Sequence, residues 1–157
     1  MNEEPKFIAD ASLGKTAKWL RLLGYDTIIY SGVAGLAMLN QSLREKRIVL
    51  TRRRDLMERQ FSGRIMLVPD GNVVNQLHFI IEKVPLKINQ EKMYRFCLQC
   101  NNLLIVAPKN EVKDCVPSYV YDNYTNFTRC PGCGKVFWQG THLRNAMYFI
   151  GMITVGN

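Results

Sequence analysis

Two stretches decide the fold of this chain, Cys97-Leu98-Gln99-Cys100 and Cys130-Pro131-Gly132-Cys133. Each Cys-x-x-Cys turn places two sulfur atoms on the same side of a tight loop. Two such turns from neighbouring hairpins can close a four-sulfur shell around Zn²⁺, with metal–sulfur bonds of about 2.3 Å. Because a complete shell leaves no coordination position for a substrate, we predict that Cys97, Cys100, Cys130 and Cys133 hold a structural zinc ion that stabilises a small β-rich zinc ribbon.

Three other uses of these cysteines are disulfide bonds, a redox pair and iron binding. Disulfide frameworks belong to secreted chains, and a redox Cys-x-x-Cys normally stands alone at the start of a helix. Iron accepts the same tetrahedral shell of four sulfurs, so it stays open as the alternative metal. The fifth cysteine, Cys115, has no neighbour at a similar spacing, which is typical of a packed or surface thiol.

The length and composition allow one substantial core and one small additional module. The chain has 157 residues, of which 47% are hydrophobic,. Its first residues, Met1-Asn2-Glu3-Glu4-Pro5, are acidic and polar, whereas a signal peptide begins basic and continues apolar,. The longest apolar stretch, Ala146 to Val155, is too short to span a bilayer,. We therefore expect a cytoplasmic protein that does not insert into a membrane.

The charge of the chain indicates a polyanionic partner. The sequence has 21 Lys and Arg residues against 13 Asp and Glu residues, a formal net charge of +8,. Guanidinium groups bind phosphates with two parallel hydrogen bonds and need no metal to do so. The alternative is a solvated charged surface without a ligand. The candidate phosphate-binding residues form two clusters, Lys15, Lys18 and Arg21 as one basic stripe on the first predicted helix, and Arg52, Arg53 and Arg54 after the third predicted strand.

The first part of the chain alternates short apolar runs with helical patterns, which is typical of an α/β fold. We expect parallel strands joined by helical crossovers. The predicted strands are Lys6–Ala9, Thr27–Tyr30, Ile48–Thr51 and Ile65–Val68. The predicted helices are one capped by Ser12 and continuing to Leu23, one from Leu36 to Glu45, a short one from Asp55, and one from Val73 to Lys83.

The pattern changes after Val84-Pro85, where the strands become short and the cysteine turns appear. No long helix is predicted there until about Thr141 to Ile150. We place the domain boundary within Val84 to Lys92. The resulting domains are residues 1–86, an α/β domain with a parallel sheet flanked by helices, and residues 93–157, a zinc ribbon with a C-terminal helix.

Acidic residues follow three of the predicted strands. Asp10 ends the first strand, Asp55 comes shortly after the third, and Asp70 follows the fourth. Open α/β sheets bind ligands at the carboxyl ends of their strands, so these carboxylates could converge there. Carboxylates of this kind hold Mg²⁺ or Mn²⁺ in two-metal hydrolysis of phosphodiesters. The alternative is that they serve as helix caps or turn residues.

Several sequence blocks, in order and spacing, follow one known pattern over nearly the whole chain: Phe7-Ile8-Ala9-Asp10, Leu13-Gly14-Lys15, Trp19 to Asp26, Leu50-Thr51-Arg52, Gln76-Leu77, Cys97 to Asn101 and Cys130 to His142. In these blocks the chain resembles the PIN-like ribonuclease family of the mut-seven carboxy-terminal type. The resemblance implies a PIN-like domain followed by a zinc ribbon, and a metal-dependent ribonuclease activity with Asp10 and Asp55 in its catalytic acidic set.

The chain departs from this family pattern at two acidic positions. The family typically has Thr-Arg-Asp where this chain has Thr51-Arg52-Arg53, and an acid near the second helix where this chain has Ser31 to Gly35. A guanidinium cannot ligate Mg²⁺. The sequence therefore favours an RNA-binding protein on a PIN-like ribonuclease scaffold with a degenerate metal site. The alternatives are an active ribonuclease that uses Mg²⁺ or Mn²⁺, and an interaction module that docks on a ribonucleoprotein or a partner nuclease.

Overall fold

The structure, a computed structural model, describes residues 3–154, and for residues 141–143 and 154 it describes the backbone alone. The chain divides into two compact units, Met1–Asn101 and Asn102–Asn157. Hydrogen bonds from Tyr94 N to Leu22 O (3.0 Å) and from Thr27 N to Asn101 Oδ1 (3.0 Å) connect residues 94–101 to the rest of the first unit.

The described part of the first unit contains a four-stranded parallel sheet and three α-helices, as the α/β prediction requires. The strand order is β2-β1-β3-β4, and every neighbouring pair is parallel. The strands are β1 (Lys6–Ala9), β2 (Thr27–Ile29), β3 (Arg47–Thr51) and β4 (Ile65–Leu67). The helices are α1 (Gly14–Leu22), α2 (Leu36–Arg44) and α3 (Val73–Lys83), with 3-10 turns at Ala11–Leu13, Arg54–Glu58 and Gln90–Lys92.

The central strands β1 and β3 form the core of this unit. Phe7, Ile8 and Ala9 of β1 are fully buried, as are Val49 and Leu50 of β3. Strands in the middle of a parallel sheet are covered on both faces, so they lack the alternation of polar and apolar residues that a half-exposed strand shows. This is why uninterrupted apolar runs predicted both strands.

The start of α1 differs from the predicted one, whereas a glycine follows its end. Ser12 does not cap this helix. The Asp10 carboxylate accepts a hydrogen bond from Ser12 N (2.9 Å) and caps a 3-10 turn that precedes α1. Gly24 follows the helix end with φ +94°, and a Cβ atom there would lie 2.3 Å from Lys92 O. Glycine is therefore required at position 24, directly after the end of α1.

The second unit contains a small antiparallel sheet of order β5-β6-β7 in its described residues. Its core consists of Ala107, Val112, Val120 and Phe127, against which Trp138 packs. The elements are β5 (Ile105–Ala107), α4 (Ser118–Asn123), β6 (Phe127–Arg129), β7 (Val136–Trp138) and α5 (Thr141–Thr154), with a 3-10 turn at Lys109–Glu111. Across residues 3–154 we find no helix with the length and apolar character needed to cross a bilayer.

Candidate metal and nucleic-acid sites

The four cysteines of the Cys-x-x-Cys turns form a cluster. Their sulfur atoms all lie within 4.8 Å of one another, with Cys97 and Cys130 buried and Cys100 and Cys133 exposed. A tetrahedral shell with metal–sulfur bonds of about 2.3 Å places its sulfurs about 3.8 Å apart. The four thiol ligands and their spacing therefore fit a metal ion such as zinc, and the sulfur atoms need to move closer together by no more than about 1 Å to bind it,.

The two cysteine turns have the same backbone geometry. Asn101 N donates to Cys97 O and Gly134 N donates to Cys130 O, each at 2.9 Å. The residue after the second cysteine is in the left-handed region in both turns, with φ 69° at Asn101 and 75° at Gly134. Glycine and asparagine tolerate this conformation best. Cys133 N also donates to Cys130 Sγ at 3.4 Å.

Asp10 lies at the carboxyl end of β1, where the sequence predicts a catalytic acid. Its Oδ2 accepts from the Thr51 hydroxyl (2.7 Å) and from Arg52 N (3.1 Å), and its Oδ1 accepts from Ser12 N and the Ser12 hydroxyl. Burial alone would raise the pKa of Asp10, but the hydrogen bonds from Ser12, Thr51 and Arg52 outweigh it and lower the pKa,. Asp10 is thus an ionised carboxylate whose two oxygens already accept four internal hydrogen bonds.

The other two acids at this edge pair with arginines. Arg53 donates from Nε (3.0 Å) and Nη2 (2.7 Å) to the two carboxylate oxygens of Asp55. Its Nη1 donates to Ala34 O. Arg52 donates from Nε to Asp70 Oδ1 at 2.9 Å, and its Nη2 donates to the same oxygen. The hydrogen bonds from Arg53 lower the pKa of Asp55. Two of the predicted phosphate-binding arginines therefore neutralise acids, Arg53 within its own loop and Arg52 on the loop that follows β4.

These acids do not form a ready cation site. Within residues 3–154, Asp10, Asp55 and Asp70 do not come together as a group of candidate metal ligands of the kind that the four cysteines form.

A cleft of about 520 Å³ opens beside these strand ends. Lys15, Lys18 and Arg52 supply positive charge to it, so the structure brings together three residues from the two predicted basic clusters. The first residues of α1 and α3, Gly14 and Val73, also line it. Because the N-terminus of a helix presents unsatisfied N–H groups and a partial positive charge, both helices add to the attraction for an anion.

The floor of the cleft contains a polar pair that sequence reasoning missed. The Thr16 hydroxyl donates to Gln76 Oε1 at 2.6 Å, and Gln76 Nε2 donates to Pro69 O at 3.1 Å. These bonds fix the amide of Gln76 at the cleft wall. The one available signal was that Gln76-Leu77 belongs to the family pattern, because a polar residue in an apolar helix has no chemistry of its own to single it out.

Three of the predicted RNA-binding residues do not line the cleft. Arg53 binds Asp55, and Arg54 is exposed at the start of the 3-10 turn. Arg21 is only 3% exposed and donates to Thr27 O (2.7 Å) and Leu98 O (2.8 Å). A step of three residues rotates a helix position by about 60°. The predicted cluster of Lys15, Lys18 and Arg21 therefore turns by about 120° around α1, and Arg21 lies in the interior,.

Asp26 lies at the opposite edge of the sheet, as its place before β2 predicts. Arg47, at the start of β3, donates to Asp26 Oδ1 at 2.7 Å, and Asn101 Nδ2 donates to the same oxygen at 2.6 Å. Burial alone would raise the pKa of Asp26, but hydrogen bonds from Arg47 and Asn101 outweigh it and lower the pKa. This network links strand starts and lies away from the carboxyl ends that line the cleft.

Comparison with known proteins gives one match. The family model of the Mut7-C RNAse domain matches residues 5–150 of this chain, and this confirms the resemblance seen in the sequence. No curated protein and no solved structure matches the chain.

Proposed function

The chain belongs to the Mut7-C RNAse domain family, and we propose that it binds RNA in the cleft of Lys15, Lys18 and Arg52 without cleaving it. Membership in this family indicates a nuclease-like or RNA-related role. The observation that carries the finer proposal is that Arg53 pairs with Asp55 and Arg52 with Asp70 at the edge where a nuclease would hold its metal ions.

The proposed loss of cleavage follows from the chemistry of these pairs. Two-metal hydrolysis needs several carboxylates that direct their oxygens at hard divalent cations. A guanidinium cannot be deprotonated in a protein, so Arg53 beside Asp55 repels a cation and occupies the oxygens that would bind it. Asp10 would have to release hydrogen bonds from Thr51 and Arg52 to take a metal. We therefore propose that Mg²⁺ or Mn²⁺ is not a cofactor of this protein.

The positive charges that line the cleft support binding of a phosphate backbone. The exposed ammonium groups of Lys15 and Lys18 and the two helix N-termini direct positive charge into one cleft,. We further propose that residues 1–86 form a PIN-like domain, that residues 93–157 form a zinc ribbon with a C-terminal helix, and that zinc is the ion in the cysteine cluster,. Thiolate ligands stay reduced in the cytosol, which supports a cytoplasmic protein.

The first prediction tests this surface by replacing Lys15 and Lys18 together with alanine. Binding of a fluorescein-labelled single-stranded RNA is followed by fluorescence anisotropy over a range of salt concentrations. Loss of two phosphate contacts should weaken binding and make the slope of log affinity against log salt shallower by about 1.4. The double variant Arg44→Ala and Lys87→Ala is the matched control, because both residues are exposed and neither lines the cleft.

Equal salt slopes for the wild type, the cleft variant and the control would reject the cleft as the RNA-binding surface. Circular dichroism of each variant shows whether the fold is kept, since all four residues are exposed and their truncation should leave the core unchanged.

A further inference from the structure

A second, mostly apolar groove shares a wall with the basic cleft. It has a volume of about 280 Å³, near the lower limit of about 300 Å³ for small-molecule pockets,. Three of its lining residues, Lys15, Lys18 and Val73, also line the cleft, so the two depressions adjoin. The residues that only the groove contains are apolar: Trp19, Leu22 and Leu98.

The helix α1 presents this combination of charge and apolar surface on one face. Lys15, Lys18, Trp19 and Leu22 stand at positions i, i+3, i+4 and i+7, which superpose along one side of an α-helix,. The indole of Trp19 is partly exposed, whereas Leu22 beneath it is buried. An aromatic ring therefore borders the groove next to two ammonium groups that face the cleft.

The opposite wall of the groove is held in place by Arg21. Its Nη1 donates to Leu98 O at 2.8 Å, and its Nε donates to Thr27 O at 2.7 Å, while the side chain is 3% exposed. A buried guanidinium with two backbone acceptors fixes the position of Leu98 relative to α1. Arg21 is accordingly a positioning residue for the groove, although it does not line the basic cleft.

We propose that this groove holds one unpaired base of a single-stranded RNA against the ring of Trp19, while the adjoining phosphate binds at Lys15 and Lys18. The inference rests on the proposed function and adds a requirement for unpaired, base-bearing strands. The apolar walls exclude a phosphate, and the bordering lysines attract one. A planar base joined to a phosphate satisfies both surfaces, and stacking on an aromatic ring is available to an unpaired base but not to a base within a duplex.

The experiment compares two labelled ligands of equal length, an oligouridine and a ribose-phosphate oligomer that lacks bases. Wild-type protein should bind the oligouridine about tenfold more tightly than the abasic oligomer, since stacking on an aromatic side chain contributes on that scale. Trp19→Leu should remove most of this preference and leave the affinity for the abasic oligomer unchanged. Trp19→Phe keeps a ring and should retain most of the preference. Binding of double-stranded RNA should be the same for wild type and Trp19→Leu.

The matched control is Phe79→Leu, which truncates a partly exposed aromatic of α3 that lines neither depression. It should leave the preference for oligouridine intact.

If Trp19→Leu weakens the binding of both ligands by the same factor, Trp19 only supports the fold and the base site is rejected. If wild type binds both ligands equally, the base site is rejected while phosphate binding stands. If wild type binds neither ligand, the proposed function fails as well. If Trp19→Leu does not fold, the proposal is tested by two other measurements: the preference of the wild type for oligouridine over the abasic oligomer, and the retention of that preference in Trp19→Phe.

Discussion

At the scale of single residues, the side chain of Arg53 changes the charge of the candidate metal site at the strand ends. Position 53 carries a guanidinium where the sequence resemblance implies an aspartate, and in the structure this guanidinium donates two hydrogen bonds to Asp55. The arginine at position 53 could be read directly from the sequence Thr51-Arg52-Arg53. Its pairing with Asp55 could not be predicted, because the Arg53 side chain could also have extended into solvent or toward a phosphate.

The buried guanidinium of Arg21 shows where residue-scale prediction is limited. A spacing of three residues from Lys15 to Lys18 to Arg21 indicates one helix face only over a short distance, since each step turns by about 60°. Sequence reasoning therefore placed Lys15 and Lys18 correctly on an exposed surface and extended it by one residue too many. The acceptors that draw Arg21 inward, Thr27 O and Leu98 O, belong to distant parts of the chain.

The second prediction concerns the Asp26–Arg47 pair and its dependence on pH. Asp26→Asn should lower the free energy of unfolding by about 1–3 kcal/mol near pH 7, because it weakens hydrogen bonds to a carboxylate that is partly buried,. The folded protein lowers the pKa of Asp26. The stabilisation is therefore fully present above the ordinary pKa of about 3.9 and is lost as the pH falls through the lower folded pKa.

Denaturant unfolding at a series of pH values, followed by circular dichroism, measures this effect. The difference between wild type and Asp26→Asn should narrow below about pH 4. Asp70→Asn is the control, because Asp70 pairs with Arg52 at a side-chain exposure of 84% and should contribute less than about 1 kcal/mol,. A difference between wild type and Asp26→Asn that stays constant down to acid pH would contradict the assigned role of the pair.

At the scale of elements, the apolar runs predicted the sheet well because β1 and β3 are buried on both faces. The helix α3 has the predicted bounds, Val73–Lys83, since Asn72 caps it through a hydrogen bond that sequence patterns capture,. The start of α1 differed because Asp10 and Ser12 are both good capping residues and the backbone path selects between them. The helix α4 was missed because its six residues are too few to show a helical period,.

The third prediction concerns the cysteine turns. Purified protein should contain about one zinc ion per chain by elemental analysis. Cys97→Ser or Cys130→Ser should lower the zinc content and unfold the β5–β7 sheet, because the free energy of binding structural zinc, about 10–16 kcal/mol, contributes directly to folding. Cys115→Ser is the control, since Cys115 is exposed and is not one of the four clustered cysteines.

Chelation should have the same effect as the two serine variants. Iron in place of zinc would correct the identity of the ion and keep the site. Protein that contains neither metal and yet keeps the β5–β7 sheet would contradict the assignment of a structural metal site.

At the scale of the whole molecule, the family match indicates a nuclease-like or RNA-related role, but the acidic side chains at the strand ends accept hydrogen bonds from other residues of the chain. Asp10, Asp55 and Asp70 each accept hydrogen bonds from neighbouring residues, whereas Lys15 and Lys18 stay exposed at the cleft. Charge and cleft therefore favour retention of RNA, and the pairing of the acids disfavours its hydrolysis. These observations support our proposal that the protein binds RNA and does not cut it.

The most direct test is the appearance of fragments from an end-labelled single-stranded RNA incubated with the protein and Mn²⁺. We predict that wild-type protein binds the RNA and leaves it intact. Arg53→Asp should gain Mn²⁺-dependent cleavage, while Arg54→Asp, which changes the charge equally at an exposed neighbour, should not. Cleavage by wild-type protein that requires Mn²⁺ and disappears in Asp10→Asn would contradict the account and establish an active ribonuclease.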